Sequence, residues 1–138
     1  MLGIDACAPA VETARRKRVQ VLQQSLFDEI PNAGQWATAL LLDGNIGIGG
    51  DPVRLLSHVA TLLRPGGRAL VEVEKPGNSN STRQVRLEID DMPGPWFSWT
   101  SVQANSLAGI TGDAGMSVRD AWRVNDRYFA ILDTPFLP

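Results

Sequence analysis

Between Trp36 and Glu74 the apolar positions change their spacing twice. Residues 36–42 (WATALLL) are apolar on both faces, the pattern of an interior parallel strand. A glycine-rich segment follows. Leu55, Leu56, Val59, Leu62 and Leu63 then recur at intervals of three and four and form one helical stripe. Asp51 and Pro52 start that helix, because the carboxylate accepts from free backbone donors and proline loses nothing at the first helical position. Pro65, Gly66 and Gly67 are expected to end it, and residues 68–74 read as the next apolar strand. Strand, loop, helix and strand make one crossover, the unit of parallel sheets. Ligands in such sheets sit beyond the carboxyl ends of the strands, which directs attention to Asp43, Gly44, Asn45 and residues 46–50.

Upstream, residues 1–5 read as a short strand, residues 9–17 as a helix opened by Pro9, and residues 19–22 as a second strand. The run Arg15, Arg16, Lys17, Arg18 falls on the last turn of that helix, where cations complement its negative end, and is read as a solvated helix terminus. Residues 77–82 are polar and read as a flexible stretch. Val85, Leu87 and Ile89 alternate with polar neighbours as in a half-exposed strand. Residues 91–95 break it, Trp96, Phe97 and Trp99 read as the closure of a core edge, and a helix is expected over 101–112. Residues 116–124 and 127–132 form a final hairpin about an Asn125-Asp126 turn.

Composition narrows the function. The chain has 138 residues, 43% of them hydrophobic, enough for one ordinary core and a single domain over 1–138. Thirteen basic residues against fifteen acidic ones leave a net charge of -2, so no global field attracts nucleic acid. The longest apolar run, 37–42, is too short for a bilayer and the amino terminus lacks a signal pattern, so neither membrane nor export is expected and a cytoplasmic location follows. Cys7 is the one cysteine, which excludes an internal disulfide and a cysteine zinc cage, and no metal site is expected. Cys7 itself reads as a small packing residue. His58, the one histidine, reads as a boundary residue on a packed helix.

Five segments in order carry a resemblance: Gly-Ile-Asp at the first strand end, Ser-Leu-Phe after the second strand, Leu-Leu-Asp-Gly-Asn after the third, Leu-Leu-Arg-Pro-Gly-Gly before the fourth, and the terminal hairpin. In that order they resemble the class I S-adenosylmethionine-dependent methyltransferases over nearly the whole chain. The glycines of 44–50 do not fit a dinucleotide fingerprint, since Pro52 stands where its third glycine belongs.

The resemblance implies an α/β, Rossmann-like fold with a mostly parallel sheet and a carboxyl-terminal antiparallel hairpin. It implies S-adenosylmethionine as cofactor, methyl transfer to a nucleophile, and a small-molecule acceptor. Asp5, with Ala6 beside it, matches the acid that accepts from both ribose hydroxyls. Ser25, Leu26 and Phe27 match the adenine contacts, with Ser25 departing from the Asp many members carry. Asp43, Gly44 and Asn45 match the loop beside the methionine moiety and the acceptor. No residue announces itself as a catalytic base; Asp43 is the candidate.

The family's first strand, its acidic-x-Gly-x-Gly-x-Gly loop and the following helix find no match before Gly3. The sequence therefore reads as a copy lacking that unit, and is expected to bind the cofactor about a few hundred-fold more weakly than a complete one, from the loss of ~3–4 kcal/mol. Two alternatives are kept: a non-catalytic interaction module self-associating through exposed sheet edges, and a small anion-binding α/β domain, against which Asp51 at the helix start argues.

Overall fold

The computed structural model describes residues 1–136 and divides into two compact units, Met1–Pro31 and Asn32–Pro138. In the first, β1 (Gly3–Asp5) and β2 (Val21–Gln23) pair in parallel, with α1 (Ala8–Arg16) as the crossover. Val11 and Ile30 are its buried apolar side chains. Cys7 is the residue preceding α1 and is half-buried. The basic run is used locally: Arg15 and Arg16 occupy the last turn of α1, Arg16 bonds Glu12, and Arg15 donates to the Val21 carbonyl.

In the second unit β3 (Trp36–Leu41), α2 (Pro52–Leu62) and β4 (Leu63–Val73) form the expected crossover, with β3 and β4 parallel. Asp51 caps α2, its carboxylate accepting from the Arg54 amide at 3.0 Å. The stripe buries Leu55, Leu56, Val59 and Leu62 against Ala69, Val71 and Val73, which alternate along one face of β4. The helix stops before the predicted Pro65-Gly66-Gly67 break. Leu63 is already extended, and the Leu62 carbonyl accepts from the Gly34 amide at 2.9 Å instead of continuing the helical ladder. Residues 63–67 consequently belong to β4.

Next come β5 (Ser81–Val85), β6 (Glu88–Ile89), β7 (Met92–Pro93), β8 (Phe97–Ser101), α3 (Leu107–Asp113), β9 (Ser117–Val124) and β10 (Arg127–Asp133). The main sheet has four strands in the order β3-β4-β10-β9, and it is mixed: β10 runs antiparallel to both β4 and β9. The hairpin turns at Asn125, whose φ of 54° is left-handed, as a two-residue turn requires.

Four further expectations are corrected. β3 is an edge strand: no described strand pairs with its outer side, and Leu40 is 55% exposed. The helix expected over 101–112 is only α3, because Phe97, Trp99 and Thr100 extend into β8 and pair with Val85, Arg83 and Thr82 of β5. Aromatic and β-branched side chains favour that strand, whereas Gly109 and Gly112 weaken the helix. Residues 77–82 are anchored: Asn105 pairs with both amide and carbonyl of Gly77, and the Asn80 carboxamide oxygen accepts from the Gln103 amide and the Ser106 hydroxyl. Ser81 and Thr82 begin β5. The half-exposed strand read over 84–90 is thereby split between β5 and β6.

Candidate functional site

In the first unit the parallel pairing aligns the carboxyl ends of β1 and β2. Asp5 lies opposite Gln23, and the Gln24 amide donates to the Asp5 carbonyl at 3.0 Å, so Asp5 and Ala6 stand beside the segment holding Ser25, Leu26 and Phe27. Asp5 is exposed. One of its carboxylate oxygens accepts from the Cys7 amide at 2.8 Å, which fixes the side chain at the mouth of α1. Ser25 is used locally: its hydroxyl accepts from the Phe27 amide at 3.2 Å and its amide donates to Asp28 at 3.1 Å. Leu26 and Phe27 are half-buried.

In the second unit Asp43, Gly44 and Asn45 form the turn leaving β3. Asp43 and Gly44 are both left-handed, with φ of 54° and 74°. Asp is among the few non-glycine residues that visit that region, and glycine adopts it freely. The turn is held from outside by Glu72 of β4, whose carboxylate accepts from the Asp43 amide at 2.9 Å. Arg127, at the start of β10, grips the same carboxylate through Nε and a terminal nitrogen, both at 2.8 Å. That guanidinium also lies 3.6 Å from the Asp43 carboxylate and over the Phe129 ring, 5.2 Å from its centroid. The Arg127 guanidinium, and after it the Asp43 amide, hold the Glu72 carboxyl below the usual carboxylate range, against the opposing effect of burial. Glu72 in turn raises Arg127.

Residues 46–50 serve packing more than ligand approach. Ile46 is fully buried, and a Cβ on Gly47 would stand 1.8 Å from the Thr100 carbonyl oxygen. Ile48 bridges Trp99, and the Gly49 amide donates to the Ser98 carbonyl at 3.0 Å. These glycines let β8 lie directly on the loop, so this stretch is removed from the ligand-facing set the crossover pattern suggested. β8 brings Trp99 beside Gly44, where a Cβ would lie 3.7 Å from the indole. The aromatic cluster divides: Phe97 and Trp99 pack edge to face at 6.1 Å, while Trp96 is 62% exposed under the Arg86 guanidinium.

A depression of about 300 Å³ between Ala60, Thr61, Arg64 and Thr134 lies by the start of β4, at the other end of that strand from Glu72. Its Thr134 hydroxyl is engaged with the Arg64 and Gly67 carbonyls, so it presents little chemistry. Among the described residues no group of three or more metal-ligating side chains converges, and no helix is long and apolar enough to cross a membrane.

No family model and no curated protein matches the sequence. Solved structures do match. A methyltransferase from Bacteroides fragilis, solved with S-adenosylhomocysteine, superposes with a TM-score of 0.72 over 96% of this chain at 23% identity. The fold is that of the S-adenosylmethionine-dependent methyltransferases. A Methanosarcina mazei member superposes over 99% of the chain with a TM-score of 0.71 at 11% identity. The 1,6-didemethyltoxoflavin-N1-methyltransferase of Burkholderia thailandensis, solved with 1,6-didemethyltoxoflavin and S-adenosylhomocysteine, does so over 97% with a TM-score of 0.66 at 16% identity. The chain spans 60% of the Burkholderia, 62% of the Bacteroides and 82% of the Methanosarcina structure. Within this methyltransferase fold, Glu72 and Arg127 are the residues sequence reasoning missed. Their signal was an acid between Val71 and Val73 in a strand read as apolar, a position that demands a cationic partner.

Proposed function

We propose that the chain carries the ribose-facing and acceptor-facing parts of an S-adenosylmethionine-dependent methyltransferase acting on a small-molecule nucleophile. The observation that carries this reading is Asp5. It ends a parallel strand, one carboxylate oxygen is locked by the Cys7 amide, and no donor among the described residues engages the other. A carboxylate so presented fits a cis diol, since its oxygens accept from both hydroxyls. The cofactor itself is supported by the relatives solved with S-adenosylhomocysteine. When bound, the cofactor supplies a sulfonium methyl group with a good leaving group, so the protein's task is alignment and exclusion of water.

Asp5 and Ala6 hold the ribose, and Ser25, Leu26 and Phe27 offer the adenine a half-buried apolar wall with one polar edge. For the second unit, taken by itself, the reading assigns Asp43, Gly44 and Asn45 to the reacting end of the cofactor, with the exposed Asp43 carboxylate, 3.6 Å from the Arg127 guanidinium, as the candidate proton acceptor. A small acceptor is favoured by the Burkholderia relative, which was solved with 1,6-didemethyltoxoflavin bound.

Titration of the isotope-labelled chain with S-adenosylhomocysteine tests this through amide shifts, which detect even millimolar binding. Shifts are expected at Ala6, Gly44 and Asn45, and Asp5→Ala is expected to weaken binding by a factor of ten or more, since it removes charge-assisted bonds of ~1.5–3 kcal/mol. Equal affinity in Asp5→Ala refutes the ribose assignment.

A second reading has its own observation. The open edge of β3, with Leu40 exposed, suits strand pairing with another chain, as in a non-catalytic interaction module. Sedimentation at rising concentration separates the two: a dimer abolished by Leu40→Lys favours the module.

A further inference from the structure

We propose that Glu72 is a positioning residue, with Arg127 as its counter-ion, that sets the turn carrying Asp43, Gly44 and Asn45 into its ligand-facing shape. The proposal rests on the cofactor reading above and deepens it.

Glu72 stands on β4 between the buried Val71 and Val73, on the strand's opposite face, and its side chain is only 13% exposed. Nothing in strand pairing requires an acid there: Glu72 lies across from Phe129 of β10, and the ladder is complete without its side chain. Both carboxylate oxygens are nonetheless committed. One accepts from Arg127 Nε, and the other is shared between a terminal nitrogen of Arg127 and the Asp43 amide. The Asp43 amide thus takes its acceptor from a side chain 29 positions away.

That matters because of the backbone Asp43 adopts. Two left-handed residues in succession turn the chain sharply, and Asp-Gly tolerates them, so what the local sequence leaves open is the direction in which the turn is held at the end of β3. Anchoring the amide of the first residue fixes where both peptide planes point. The Asp43 side chain and the Gly44 and Asn45 amides then project from a defined place at the end of β3. Arg127 acts twice, fixing both oxygens of Glu72 in a bidentate geometry and standing 3.6 Å from the Asp43 carboxylate it helps orient. It is delivered by the β9-β10 hairpin, so the terminal hairpin reports on the turn through one guanidinium.

The test uses the labelled full chain, with Glu72→Gln and Glu72→Ala as variants and Arg127→Lys as the conservative partner change. In Glu72→Ala the Asp43 amide is expected to exchange with solvent ~10-fold faster or more and to move upfield, as follows from losing a hydrogen bond to a charged acceptor. Glu72→Gln, which keeps an acceptor without the charge, is expected to fall between. Affinity for S-adenosylhomocysteine, read at Gly44 and Asn45, is expected to drop ~10-fold in Glu72→Ala. Arg127→Lys is expected to retain more of it than Arg127→Ala, and the loss is expected in variants whose Tm stays within about 2 °C of each other, which a merely structural role does not produce. An Asp43 amide indifferent to Glu72→Ala in a folded chain overturns the proposal. So does an altered amide with unchanged affinity. If S-adenosylhomocysteine moves neither Gly44 nor Asn45 in the unsubstituted chain, the cofactor reading itself fails, and that result is separate from any variant's.

Discussion

The contact between Gly47 and Thr100 ties the loop after β3 to the β5-β8 hairpin, and replacing Gly47 with alanine tests how firmly. The added Cβ would meet the Thr100 carbonyl oxygen at 1.8 Å, its carbonyl carbon at 2.8 Å and its amide nitrogen at 3.0 Å. All three are backbone atoms, so no side chain can swing aside. Reaching the ordinary limit of 3.4 Å from the oxygen requires β8 and the loop to part by about 1.6 Å, the difference 3.4 − 1.8. Overpacking of this kind costs ~1–3 kcal/mol. The movement also strains the Gly49 amide bond to Ser98 and the bridge from Ile48 to Trp99, at ~0.5–1.5 kcal/mol for a lost hydrogen bond. The total is ~2–4 kcal/mol, a large part of a domain's ~5–15 kcal/mol. For a chain of this size that lowers Tm by roughly 6–15 °C. Thermal unfolding followed by circular dichroism, with urea unfolding to fix the slope, measures it. Gly109→Ala is the control, since nothing lies within 4 Å of its added Cβ on α3. There alanine is expected to stabilise by ~0.5–1 kcal/mol. A Gly47→Ala chain melting within about 2 °C of the unsubstituted one, against the fall expected for a chain of this size, would refute the reasoning.

Asp51→Ala removes the cap on α2 and is expected to lose ~0.5–2 kcal/mol in the same unfolding assay, with Asp51→Asn retaining most of it. Glu72 gives a pH dependence of definite sign. Its carboxyl is held below its ordinary value first by Arg127 and then by the Asp43 amide, so the unfolded chain binds that proton more readily than the folded one. Its stabilising contribution is therefore complete above the ordinary carboxylate range and lost as pH falls through that range toward the lowered folded value. The stability gap between the unsubstituted chain and Glu72→Gln should narrow between about pH 7 and about pH 3, and a gap constant across that interval contradicts the pairing.

The elements that were legible are those whose signal is local. The α2 stripe, its Asp51-Pro52 start and the Asn125-Asp126 turn each follow from residues a few positions apart, and each is present where the spacing placed it. Asp5 and the Asp43-Gly44-Asn45 turn were reached through the order of five short segments, and the structure sets both groups at the carboxyl ends of parallel strands. The end of α2 was misjudged because Gly34, far back in the chain, takes the Leu62 carbonyl. The strand nature of residues 97–101 was missed because it depends on a partner, β5, whose own alternation is blurred by the polar residues 81–84.

By itself the sequence determined the crossover, the acid at the end of β1 and the turn after β3, since periodicity, capping and glycine placement act within a few residues. Tertiary structure alone decided the rest. It made β3 an edge strand despite its two apolar faces, laid β8 on glycines 47 and 50, and joined Glu72, Arg127 and the Asp43 amide across separations of 55 and 29 residues. Contacts of that range are chosen by which strands pair and in what register. That choice is settled by packing the whole chain at once: a short window such as residues 71–73 shows that an acid needs a partner there, and nothing in it names the partner.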